Sequence, residues 1–167
     1  MKLMRALLGL LGAFAMAACA PVDAPAQSSG PVEITLTRTV CFGFCPAYTV
    51  SITGDGQVTY NGQSFVNVTG EQRATIAPEA VQRLLQRFDA VHFDALNDAY
   101  RANVSDLPTM TVSLTRNGHR KAVVDYGGLS AGMPQGVRDL QAEIDRIAGT
   151  SRWVLRDGQP VRMRPEQ

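Results

Sequence analysis

Cys41-Phe42-Gly43-Phe44-Cys45-Pro46-Ala47-Tyr48 holds the chain's most reactive neighbours, two thiols four positions apart. Three kinds of chemistry use such a pair. Oxidised, it is a disulfide staple, and a five-residue turn can bring the Cα atoms within the roughly 4.4–6.8 Å that the bond requires. Reduced, it is an exchange couple, although such couples ordinarily stand at C-x-x-C on a helix N-terminus, which lowers the thiol pKa. As thiolates the two are half of a zinc site, which needs three or four ligands. Only His92 and His119 can add nitrogen; the first falls at the end of an expected helix and the second just after an expected hairpin turn, where an imidazole is ordinarily solvated. Asp94 and Asp98 are spaced to share a helical face, but no third group completes an acid–base site around them. The residues therefore suggest no catalytic constellation, no cofactor and no metal, and the chain reads as non-enzymatic. Phe42 and Phe44 have two readings. Such rings more often cover the open end of a sheet; on an exposed loop they form, with Tyr48, an aromatic contact for a partner.

The state of the thiols depends on the compartment. MKLMRALLGLLGAFAMAACA opens with Lys2 and Arg5, continues through an apolar run from Leu7 to Met16, and exits through small residues. The run is too short for a bilayer span, which takes about 20 residues, and has the form of a cleaved secretory signal, residues 1–18. Met16-Ala17-Ala18-Cys19 resembles the lipobox of bacterial lipoproteins, with Met16 where the pattern usually has Leu. That resemblance implies diacylglycerol on Cys19 and several acyl chains, palmitate among them, enough for stable anchoring. It implies a cell-envelope location and the membrane as a partner. Ala20, in place of an Asp, favours the periplasmic face of the outer membrane in an organism that has one. With Cys19 taken by lipid, Cys41 and Cys45 remain as an even pair in an oxidising compartment, where the staple is the favoured state.

Lys2 and Arg5 leave with the signal, so fourteen basic residues face fifteen acidic ones and the balance is −1. Nothing in it suggests nucleic acid. Residues 19–31 are rich in Pro, Ala and Ser and read as a tether behind the lipidated cysteine. Residues 32–150 are enough for one hydrophobic core, and 151–167 form a C-terminal tail that Trp153 can dock.

The motif must be positioned by strands. Residues 32–40 alternate Val32, Ile34 and Leu36 with polar partners, the period of a half-buried strand. Tyr48, Val50 and Ile52 form a second strand and Val58 and Tyr60 a third, joined through Gly54-Asp55-Gly56. Residues 64–70 suggest a fourth. Ala80, Val81, Leu84, Leu85 and Phe88 then mark one face of a helix within 76–93. A second hairpin turns at Asn117-Gly118, and Val137, Leu140, Ile144 and Ile147 mark a second helix that Gly149 ends. Hairpin then helix, twice, predicts an α+β fold: an antiparallel sheet of five to six strands with both helices packed on one face.

Cys41, Gly43, Cys45, Pro46 and Tyr48, followed by Gly54, Gly56, Val58, Tyr60 and Gly62, form a C-x-G-x-C-P-x-Y…G-x-G-x-V-x-Y-x-G pattern. The pattern resembles that of an uncharacterised domain family of bacterial envelope proteins, over roughly residues 32–150. The resemblance implies secretion or lipidation and brings no activity. The expected role is a membrane-anchored accessory module that binds an envelope protein or a small ligand. An inhibitor of an envelope hydrolase, with the stapled loop as its plug, is the alternative, and a thiol–disulfide oxidoreductase the second.

Overall fold

The computed structural model describes residues 31–162; the expected signal, Cys19 and almost all of the expected tether lie outside them. The first three strands are β1 (Glu33–Arg38), β2 (Ala47–Thr53) and β3 (Gln57–Ser64), a continuous antiparallel meander. β4 (Gly70–Thr75) closes that edge, and α1 (Pro78–Ala90) follows with Pro78 in its first turn. β5 (Ala99–Arg101), β6 (Met110–Arg116) and β7 (His119–Tyr126) lead into α2 (Gln135–Ala148). A short α3 (Ser151–Val154) and a small ribbon, β8 (Leu155–Arg156) with β9 (Gln159–Pro160), end the described chain.

Alternation decides the layers. Leu36 lies opposite Val50 on one side and Val112 on the other, and Val50 lies opposite Tyr60, so one face of the sheet is apolar across four strands. Val81, Leu84 and Phe88 of α1 and Val137, Leu140 and Ile144 of α2 pack into the same core. Each such side chain contributes about 1.5–3 kcal/mol on burial. The other face is lined by hydroxyls, with Thr37 bonded to Thr49 across β1 and β2 at 3.1 Å. Among the described residues no helix is long and apolar enough to cross a membrane.

The fold is α+β, but the sheet is mixed and has seven strands in the order β4-β3-β2-β1-β6-β7-β5. β5 runs parallel to β7. At three residues, with only Tyr100 buried, it is too short to show a period. The fourth strand also lies later than its β-branched residues suggest. The backbone N–H groups of Asn67 and Val68 donate to the carbonyls of Val154 and Trp153. The polar Gly70–Thr75 stretch takes the edge instead, where charged side chains such as Glu71 and Arg73 discourage further strand pairing.

Strand register sorts the connections into two ends. The turns after β2 and after β6, and Val32, whose carbonyl accepts from the Gly54 N–H at 2.9 Å, are at one end. Segments 39–46, 65–69, 102–109 and 127–134 are at the other, here the loop pole. Arg116, paired with Asp89 and Asp94, ties the end of α1 to the hairpin end. Asp145 ties α2 to the loop pole through Arg38 and Tyr48.

Candidate functional site

Cys41 and Cys45 are joined in a disulfide, with Cα atoms 5.5 Å apart. The Gly43 N–H bonds the Cys41 carbonyl at 2.9 Å, closing a tight turn inside the ring, and Pro46 leads into β2. Phe42 stands at the tip, 89% exposed, so it covers nothing. Phe44 is 55% exposed and sets its ring edge-on to Phe65, with centroids 5.7 Å apart. Tyr48 is different. It is only 3% exposed, a core residue and not a surface contact for a partner.

The stapled loop is one part of a continuous surface. The Phe42 N–H donates to the Asp106 carbonyl, and the Thr39 N–H to the Thr109 carbonyl, which seats loop 39–46 on loop 102–109. Phe65 brings in loop 65–69. Gly127 lies against Ala102, Val104 and Leu107, so loop 127–134 touches loop 102–109. The large apolar side chains left exposed among the described residues are Val40, Phe42, Phe44, Val104, Leu107 and Leu129. All of them are in these loops. The four segments together carry one charged side chain, Asp106. Asp106 and Phe65 both have left-handed backbone, at φ 69° and 55°, a costly conformation for residues with side chains that surrounding structure must enforce.

Two polar locks stand behind this surface. In the first, Asp145 of α2 accepts from Arg38 Nε and Nη2 at 3.1 and 2.8 Å, from the Tyr48 hydroxyl at 2.7 Å and from Thr150 Oγ1 at 2.8 Å. Burial, and then the neighbouring carboxylate, push the Tyr48 hydroxyl well above the ordinary phenol range; Tyr60 moves the same way for the same causes. Burial opposes the charge on Arg38, but Asp145 and Tyr48 more than offset it, and the guanidinium is held above its usual value. In the second lock Asp125, fully buried at the end of β7, accepts from the Gly128 N–H, Gln141 Nε2 and Arg138. It fixes the start of loop 127–134. Sequence reading missed both locks, although Gln141 inside the apolar stripe of α2 was a usable signal: a polar residue there needs a buried partner.

Other candidates are dispersed. Asp94 bonds Arg116, whereas Asp98, beyond the helix, bonds Lys121; they share no helical face. His92 and His119 are exposed near the hairpin end. Among the described residues no three His, Cys, Asp or Glu side chains gather as metal ligands. Sequence reading also took the chain to have no Gly-x-Ser-x-Gly string, which is wrong: Gly128-Leu129-Ser130-Ala131-Gly132 is one, after a strand and before a helix. In a nucleophile elbow the serine sits on a strained strand-to-helix turn within reach of a histidine. Here Ser130 lies in a 3-10 turn, and both histidines are near the other end of the sheet. The glycines have local reasons. A Cβ on Gly128 would come within 2.8 Å of Asp125 Oδ1, and Gly132 ends the turn at φ 81°.

Over 130 residues the chain is 28% identical to proteins named Lysophospholipase 3 from two strains of Aspergillus fumigatus. The alignment takes in 77% of this chain and 20% of each relative, so the chain spans about a fifth of the length of those proteins. Residues 32–148, from the start of β1 to the end of α2, match the family described as Domain of unknown function (DUF6438), and the chain belongs to that family.

Proposed function

We propose that the chain is a non-catalytic binding module of the cell envelope, held to its membrane by lipid on Cys19, and that the loop pole is its binding surface. One observation carries this reading: every large exposed apolar side chain among the described residues is on loops 39–46, 102–109 and 127–134, which adjoin and share a single charge. A soluble surface scatters such residues singly; a contiguous patch ordinarily marks an interaction site. The disulfide holds Phe42 out from the domain and lowers the entropy lost when a partner takes it up. A hydrolase whose cleft receives the stapled loop is one partner of this kind, and the module is then its inhibitor. The oxidoreductase reading has less support, because β2 and not a helix N-terminus follows the cysteines.

The likeness to lysophospholipases, together with Ser130 in its glycine setting, favours a second reading, an acyl hydrolase. It predicts labelling of Ser130 by a fluorophosphonate, which the exposed, unassisted hydroxyl should resist. The binding reading is tested by capture from detergent-solubilised envelope with the lipidated chain and with Phe42→Ala/Phe44→Ala. An aromatic anchor at an interface centre contributes about 2 kcal/mol or more, roughly 30-fold in affinity. Capture should therefore fall at least that far while thermal unfolding is unchanged. Undiminished capture refutes the pole as the binding surface, and a Cys19→Ser variant that stays with the membrane fraction refutes the anchor.

A further inference from the structure

Asp106 is the one charge within the apolar pole, and it is held there. Its carbonyl accepts from the Phe42 N–H at 3.3 Å, so it lies directly beside the most exposed ring of the surface. Its backbone is left-handed, and its exposed carboxylate has one bond, from the hydroxyl of the adjacent Ser105 at 2.9 Å. No lysine or arginine occurs in the four loops. Any occupant that covers the pole must remove this carboxylate from water, which is unfavourable unless a donor, preferably a cation, replaces the water.

That requirement separates the possible occupants. A second copy docking pole to pole would bring two Asp106 carboxylates into one apolar contact with no cation from the loops of either copy. A bilayer would bury the same carboxylate in hydrocarbon, and the pole has no basic residues with which to hold lipid headgroups. The anchoring membrane is also badly placed. The chain enters at Val32, at the end opposite the loops. The six residues of β1 put about 20 Å between that entry and the first loop residue, at about 3.3 Å per residue, before the loop itself is added. The twelve residues between Cys19 and Val32 reach at most about 45 Å when fully drawn out. Laying the loops on the anchoring bilayer would use nearly half of that reach in running back along the domain, before the loop itself is spanned.

We propose that the occupant of the loop pole is a protein that presents an uncharged, apolar concavity for Phe42 and Phe44 with an arginine or lysine set against Asp106, approached on the side of the domain away from its anchor. This deepens the reading given above and rests on it. The pairing is a charge-assisted bond made in an apolar surround, where one partner missing is costly.

The test uses the full lipidated chain. With p-benzoylphenylalanine at position 42, irradiation of intact cells should give an adduct with a different protein. Asp106→Lys should then lower capture of that protein at least tenfold, while Glu33→Lys, an equal change of charge at the opposite end, should leave it unaltered. In vesicles containing brominated phospholipid, Phe42→Trp should show no quenching beyond that of buried Trp153. An adduct of twice the chain's own mass, or quenching of the new tryptophan, overturns the proposal in favour of a second copy or a bilayer. So does the absence of any protein adduct. If Asp106→Lys has no effect while Phe42→Ala/Phe44→Ala still abolishes capture, the charge pairing is wrong and the pole remains the binding surface. If the phenylalanine substitutions also have no effect, both readings fail together.

Discussion

Asp145→Ala is the substitution that most directly tests how the loop pole is held. It removes the acceptor for four hydrogen bonds from Arg38, Tyr48 and Thr150 at a carboxylate whose side chain is 21% exposed. Breaking a buried ion pair from one side typically costs about 3–5 kcal/mol, because the remaining charge is left without compensation. Arg38 keeps 22% of its side chain in water, so solvent recovers part of that loss. Tyr48 does not recover, since its hydroxyl is buried, and an orphaned buried donor costs about 1–3 kcal/mol. Together these give about 3–4 kcal/mol, a large share of the roughly 5–15 kcal/mol of a whole domain. The thermal midpoint should fall by roughly 10 °C for a domain of this length. The assay is urea and thermal unfolding of the detergent-solubilised chain. A double-mutant cycle with Arg38→Met isolates the pair, because removing both charges should restore at least about 1.5 kcal/mol relative to the sum of the single losses. A loss below about 1 kcal/mol for Asp145→Ala, or strict additivity in the cycle, would show that the pair is screened as at any surface and that the lock is a misreading.

Tyr48 and Tyr60 have raised pKa values, so the fold prefers both phenols neutral. Stability should be flat up to the unfolded phenol value near 10 and then decline by up to about 1.4 kcal/mol per pH unit for each tyrosine. Urea midpoints from pH 8 to 11 would show this, and Tyr48→Phe should roughly halve the decline. Cys41→Ser/Cys45→Ser should lose about 2 kcal/mol by the chain-entropy relation for so small a ring, with near-ultraviolet circular dichroism of the core preserved; loss of the fold would make the staple more than a loop restraint. Asp125→Ala should cost at least about 3 kcal/mol, read from the urea midpoint, because Arg138, Gln141 and the Gly128 N–H all lose their acceptor; a neutral result would mean water enters that site freely.

What the sequence made legible follows from where burial is one-sided. Ile34, Leu36, Val50 and Ile52 alternate because one sheet face meets helices and the other meets water, and Val81, Leu84 and Phe88 recur with the helical turn for the same reason. Asn117 and Gly118 both take positive φ, as their pairing predicts. Where burial is not one-sided, or partners are remote, the pattern fails. β5 is too short to alternate. Phe65–Thr69 has strand-like composition, yet two of its N–H groups are taken by a segment more than eighty residues later. Tyr48 is buried with Val50 and Ile52, as their alternation predicts, and only its reading as a partner contact fails: its hydroxyl is satisfied by Asp145, 97 residues away, which allows the ring into the core. Phe42 misleads in the opposite sense. Its apolar ring suggests burial, but the disulfide on either side and the contact with loop 102–109 hold it in water.

That arrangement is informative because the same molecule spends buried polar groups on fixing its most apolar surface. Arg38 and Tyr48 flank the stapled loop, one at the end of β1 and the other near the start of β2, and both converge on Asp145. Asp125 fixes the start of loop 127–134, and α3 fixes loop 65–69 through the Asn67 and Val68 N–H groups. Loop 102–109 is pinned at both ends, by the bond from the Ala102 N–H to the Tyr126 carbonyl and by that from the Thr39 N–H to the Thr109 carbonyl. Buried networks of this kind add little net stability compared with apolar packing; what they supply is a single geometry. A surface meant only to avoid water would gain nothing from being rigid, whereas a binding surface gains directly, since each side chain already ordered is one whose freedom need not be lost on association. Substitutions in the two locks should therefore weaken capture at temperatures where the domain is still folded, although neither Asp145 nor Asp125 reaches the loop tips.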